Sequence, residues 1–75
     1  MEKHFVIAIS AGRHEFVYQC STMYEAYEAM DDAAVTFGIQ LDRDELMLIL
    51  VEMKMGHKLS RTTHRWRIWI EDGEV

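Results

Sequence analysis

The chain has 75 residues, 49% of them hydrophobic, and 13 acidic against 8 basic side chains give it a net charge of −5. That length suits one domain, residues 1–75, with a small core, and the apolar fraction excludes an intrinsically disordered chain. A lone cysteine, Cys20, excludes an internal disulfide framework, no run approaches the roughly 18 apolar residues of a membrane span, and the acidic balance argues against nonspecific nucleic-acid binding. The apolar run of "MEKHFVIAIS" is too short for a signal peptide and no small-residue cleavage site follows it, so a cytoplasmic protein is expected. Charge is unevenly spread: residues 22–45 hold seven acids and one arginine, and residues 54–67 hold five bases and no acid.

Residues 4–20, "HFVIAISAGRHEFVYQC", predict a β-hairpin, with β-branched and aromatic flanks around Gly12. A two-residue Gly12-Arg13 loop would be a type II′ turn, and a four-residue loop from Ala11 to His14 has the same register. In that register Ile9 faces Phe16, Ile7 faces Tyr18 and Phe5 faces Cys20, all on one side, because residues directly opposite in a ladder point the same way. The other side carries Val6, Ala8, Val17 and Gln19.

Residues 22–37 predict a helix. Thr22 and Glu25 form a capping-box signature, and Met23, Tyr27, Met30, Ala34 and Phe37 make an apolar stripe that Gly38 terminates. Its opposite face holds Glu25, Glu28, Asp31 and Asp32. A second helix follows, with Asp42 as N-cap, Glu45 reaching back, and Leu41 and Leu46 as a hydrophobic staple; Gly56 ends it. The apolar run Leu46–Val51 also admits a buried strand, but Leu, Met and the cap signals favour helix. This second helix is apolar nearly all round, which calls for burial between the first helix and the sheet, or beneath a second copy of the chain.

Residues 58–71 return to a period of two, with Trp66, Ile68 and Ile70 alternating with Arg65, Arg67 and Trp69. Lys58–Ser60 predicts a further short strand that turns at Arg61–His64 and sets Leu59 opposite Trp66. The tail "EDGEV" is expected to fray. The fold class expected is α+β: a small antiparallel sheet of three or four strands, ββααβ or ββααββ, with an αα-hairpin on one face. The helices would cover Phe5, Ile7, Ile9, Phe16, Tyr18, Trp66, Ile68 and Ile70.

Chemistry is scarce. The histidines, His4, His14, His57 and His64, show no metal-ligand spacing, and Cys20 with His4 could meet only at the hairpin end. Cys20 lies on the core side, where a thiol is inert packing. No glycine-rich phosphate loop is present, so neither an enzyme nor a cofactor or metal protein is expected.

Two surfaces remain. The uncovered sheet face would show Val6, Ala8, Val17, Gln19, Arg65, Arg67 and Trp69, a Trp/Arg mixture typical of binding hot spots, or of arginine stems draped locally over a ring. The acidic face of Glu25, Glu28, Asp31 and Asp32 is either simply solvated or a surrogate for nucleic-acid phosphates. Stand-alone acidic α+β chains of this size are common among phage and mobile-element accessory proteins, anti-CRISPR inhibitors included, and the likeness is one of class. The leading expectation is a non-enzymatic module or inhibitor that binds a partner protein. The alternatives are a single-stranded nucleic-acid binder using the Arg/Trp face and a structural homodimerisation domain.

Overall fold

A computed structural model describes residues 2–73 and shows an α+β fold in the order ββααββ. The strands are β1 (Lys3–Ala11), β2 (His14–Cys20), β3 (Ser60–Thr62) and β4 (Trp66–Asp72); the helices are α1 (Met23–Phe37) and α2 (Arg43–Lys54). All four strands form one antiparallel sheet in the order β2-β1-β4-β3, so the first and last strands of the chain lie at its centre.

The β1–β2 hairpin has the register its alternation predicts, from Phe5 opposite Cys20 to Ala11 opposite His14. Gly12 has φ 63°, and no other residue of the two-residue loop has positive φ. That excludes a type I′ turn, which needs positive φ at both positions, and leaves type II′.

Helix α1 starts at Thr22, whose hydroxyl accepts from the Glu25 N–H at 3.1 Å. The Glu25 carboxylate reaches back to the Ser21 N–H at 2.9 Å, one residue before the cap itself. The helix stops at Gly38, whose φ of 65° suits glycine, and Ile39 closes the turn by donating to the Ala34 carbonyl at 2.9 Å. Helix α2 starts at Asp42, which accepts from the N–H groups of Asp44 and Glu45 at 3.0 and 3.1 Å. Its end is a Schellman motif: Gly56 donates to the Met53 carbonyl at 3.1 Å and His57 to that of Glu52 at 2.9 Å. Glu45 does not reach back to the cap; it binds the Arg61 guanidinium at 2.7 Å and so ties α2 to β3, a partner 16 residues away that local patterning cannot foresee.

Both helices pack on one face of the sheet. The core contains Phe5, Ile7 and Ile9 of β1, Ile68 of β4, Ala26, Met30, Ala33 and Ala34 of α1, and Leu46, Ile49, Leu50 and Met53 of α2. Tyr18, Trp66 and Ile70 pack against it half-buried. Phe16 is less covered than its parity suggested. It is 41% exposed because β2 is an edge strand, and its aromatic neighbours are Phe37, 5.0 Å away between ring centroids, and His14 at 6.4 Å.

The C-terminal hairpin departs from the expected register. Strand β3 covers residues 60–62, with Ser60 opposite Trp69 and Thr62 opposite Arg67, and the Leu59 carbonyl accepts from the Ile70 N–H, so Leu59 is not opposite Trp66. Thr63 decides this. Its N–H donates to the Trp66 carbonyl at 2.8 Å, and its hydroxyl accepts from the N–H groups of Trp66 and Arg65 at 3.0 and 3.3 Å. A side-chain turn of this kind closes the hairpin around His64 and Arg65. The tail is ordered further than expected: Glu71 and Asp72 belong to β4, and the Gly73 N–H donates to the Glu2 carbonyl at 2.8 Å. Glu74 and Val75 lie outside the described residues.

Candidate binding surface

The back of the sheet, away from the helices, is built by strand parity. Across its centre run Gln19, Val6, Trp69 and Ser60 in one row and Val17, Ala8, Arg67 and Thr62 in the next. Val6 and Ala8 are buried although no helix covers them, because the large side chains of Trp69 and Arg67 stand opposite and fold over them. The Arg67 guanidinium lies 4.4 Å from the centroid of the Trp69 indole, and the indole Nε1–H donates to the Glu71 carboxylate at 2.9 Å. The ring is therefore held from its face by a cation and from its edge by an anion. Val17, 53% exposed, and Gln19 complete the patch toward β2, and no described element of the chain covers it.

Arg65 does not belong to this face, contrary to its expected alternation. It lies in the His64-Arg65 loop ahead of β4, and its guanidinium donates to the Phe37 carbonyl at 3.1 Å on the helical side. The Thr63 turn that shifts the register also takes Arg65 out of strand parity.

The acidic face of α1 is largely committed to local structure. Glu25 serves the N-terminal cap, Asp31 pairs with Arg43, and Glu28 accepts a hydrogen bond from Tyr24 that raises the tyrosine's pKa. Asp32 is exposed and makes no ion pair among the described residues. Helix α2 is not sandwiched: Met47, Leu48 and Met55 remain exposed while Leu46, Ile49, Leu50 and Met53 are buried. Burial of one face satisfies α1 and the sheet, and the other apolar side chains face out.

Two features had no clear signal in the sequence. His4 is buried at the back of the sheet, where its Nδ1–H donates to the Gly73 carbonyl at 3.1 Å and its Nε2 lies 3.7 Å from the Glu71 carboxylate. It faces away from Cys20, because Cys20 pairs with Phe5, and the two point to opposite sides of the sheet. A cleft of about 800 Å³ runs between the α1–α2 link and the β3–β4 turn, lined by Gln40, Asp42, Glu45, Arg61, Arg65 and Trp66 among others. Its charged groups mostly bond to one another or to backbone, as the Arg61–Glu45, Arg65–Phe37 and Asp42–Glu45 contacts show.

Burial, and then the charge of Glu25, push the Cys20 thiol above its ordinary pKa. It is thus held protonated, the unreactive form. Among the described residues no three His, Cys, Asp or Glu side chains cluster to hold a metal ion, and no helix is long and apolar enough to cross a membrane. No protein-family model matches the chain, and no curated protein or solved structure matches it.

Proposed function

We propose that the protein is a non-enzymatic, cytoplasmic interaction module that binds a partner protein through the back of its sheet. The observation that carries this reading is the immobilised Trp69, clamped by Arg67 and Glu71 beside the exposed Val17. Trp and Arg dominate binding hot spots, and a side chain already fixed in place loses little entropy on association. The partner chemistry that fits is an apolar surface over Trp69 and Val17 with a carboxylate opposite Arg67. The acidic face of α1 supports an inhibitor that imitates phosphates less well, since three of its four carboxylates already have local work. Single-stranded nucleic acid fits less well too. Arg67 occupies the indole face that a base would stack on, and Trp69 is the only indole or phenyl ring that parity places there.

The test is a photocrosslinking residue at Ser60 or Thr62, which are exposed beside Trp69 and Arg67, with Val35 on α1 as control. In the cell of origin, both sheet positions should give one discrete protein adduct that Val35 does not, and Trp69→Ala should abolish it. Adducts to nucleic acid would transfer the face to the alternative reading, and equal yields from Val35 would remove the site.

A further inference from the structure

Strand β2 is a free sheet edge, and its register shows which backbone groups are free. The tight hairpin makes Ala11 and His14 a hydrogen-bonded pair, so His14, Phe16, Tyr18 and Cys20 bond inward to β1. The Ser10 N–H, which donates to Arg65 across the other side of β1, confirms the alternation. Glu15, Val17 and Gln19 therefore turn both their N–H and C=O outward. Sheets normally blunt such an edge with proline, lysine, a bulge or brevity. Here β2 has seven residues, no proline or lysine, and an uninterrupted register with β1. The opposite edge, β3, has only three residues and is guarded by Arg61 and the adjoining Lys58.

We infer that two copies of the chain pair antiparallel along β2, about a two-fold axis through Val17, to make one continuous eight-stranded sheet. One register uses the whole of this edge. Outward groups must meet outward groups, so the axis passes through Glu15, Val17 or Gln19, or through Phe16 or Tyr18 as a non-hydrogen-bonded pair, where only two of the three outward-facing residues of each edge meet outward-facing partners. An axis at Glu15 sets two carboxylates directly against each other, which is unfavourable. An axis at Gln19 leaves Glu15 and the turn unpaired. The Val17 axis joins Val17 to its copy and Glu15 to Gln19 of the other copy, which engages all three outward-facing residues of each edge. On the helical side it sets each Phe16, 41% exposed, against the other copy's Tyr18 in the closer, non-hydrogen-bonded type of pair.

Helix α1 tolerates this approach. It lies over β1 and β2, so with strands roughly 4.8 Å apart the two α1 axes come to about 10 Å, a normal packing distance. Asp31 faces Arg43 of α2, whereas Phe37 faces Phe16 of β2. The flank away from α2 runs back from Phe37 in steps of four through the buried Ala33 and the half-buried Ala29 to Glu25 in the first turn, so the part nearest the axis is small. Glu28 lies off this flank, and Asp32, three residues from Ala29, borders it. The dimer does not rest on the Trp69 contact: it uses the outward backbone groups of β2 and shares only Val17 and Gln19 with the back-face patch.

Sedimentation velocity over a wide concentration range should show a dimer. Val17→Lys, with two ammonium groups across the axis, should weaken self-association about a hundredfold or more. Val17→Pro should do the same while leaving the β1 ladder intact, because the Val17 N–H points outward. Retained far-ultraviolet circular dichroism and a cooperative unfolding transition would show that each variant still folds. In a Cys20→Ala background, Val17→Cys should crosslink to its copy rapidly under mild oxidation and Glu15→Cys slowly. A monomer at every concentration would overturn the proposal, as would a dimer that survives both Val17 substitutions or crosslinks faster through residue 15.

Discussion

Individual residues differ sharply in what they contribute, and exposure decides the difference. Leu50 is fully buried between α1, α2 and the sheet, whereas Leu48, two positions earlier, is 65% exposed. Leu50→Ala should cost about 2–5 kcal/mol in urea denaturation, a large part of the total for so small a domain, and Leu48→Ala less than about 0.5 kcal/mol. Equal losses would mean that α2 is covered on both sides in solution. Cys20 makes a second case. Its folded pKa is raised, so the fold favours the protonated thiol. That contribution is complete below the unfolded pKa of about 8.5 and is lost as pH rises through the folded value. Stability should therefore fall above about pH 8.5, and Cys20→Ala should remove that part of the decline in denaturation curves taken across the range. A wild-type thiol that reacts with an aromatic disulfide as fast in buffer as in urea would contradict its protection.

At the scale of elements, caps and turns fix where each segment begins and ends. The Thr22 hydroxyl satisfies an N–H of the first turn of α1, and Thr22→Ala should cost about 1 kcal/mol. Thr63 works differently, because its hydroxyl bonds to three backbone groups and sets the β3–β4 register. Thr63→Val keeps the shape and removes those bonds. It should destabilise the fold by about 1–3 kcal/mol and move the amide NMR shifts of Arg65 and Trp66 most. Unchanged stability would mean that the register is set by the strand pairs alone. The two helices and the first hairpin were legible in the chain because their signals are local: caps at Thr22 and Asp42, stops at Gly38 and Gly56, and a period of two around Gly12. The second hairpin was legible only as strand. A threonine among "RTTH" carries no mark of which hydroxyl will hold the turn, so Leu59 was set opposite the wrong residue and Arg65 on the wrong face.

At the scale of the whole molecule, the sheet order puts the two ends of the chain side by side at its centre, with Lys3 opposite Asp72. The core cannot close until β4 docks on β1, since Ile7 and Ile68 are opposite each other and both fully buried. A chain truncated before Trp66 should consequently lose cooperative unfolding altogether, as followed by circular dichroism in urea. A sharp transition in that fragment would show that the hairpin and helices hold a core without β4. Exposed ion pairs such as Arg61–Glu45 and Lys58–Glu52 add little to this balance, at most about 1 kcal/mol each.

The amino-acid sequence alone determined the fold class, the bounds of both helices, the first hairpin with its register, and the placing of Trp66 toward the core and Trp69 behind the sheet. These follow from periodicity and capping, which act between residues a few positions apart. Only the tertiary structure decided that Arg65 turns to the helices, that Glu45 binds Arg61, that three of the acidic residues of α1 have local partners, and that β2 is left as a free edge. Each of those depends on which distant segment lies alongside, and short-range patterns do not encode that neighbour.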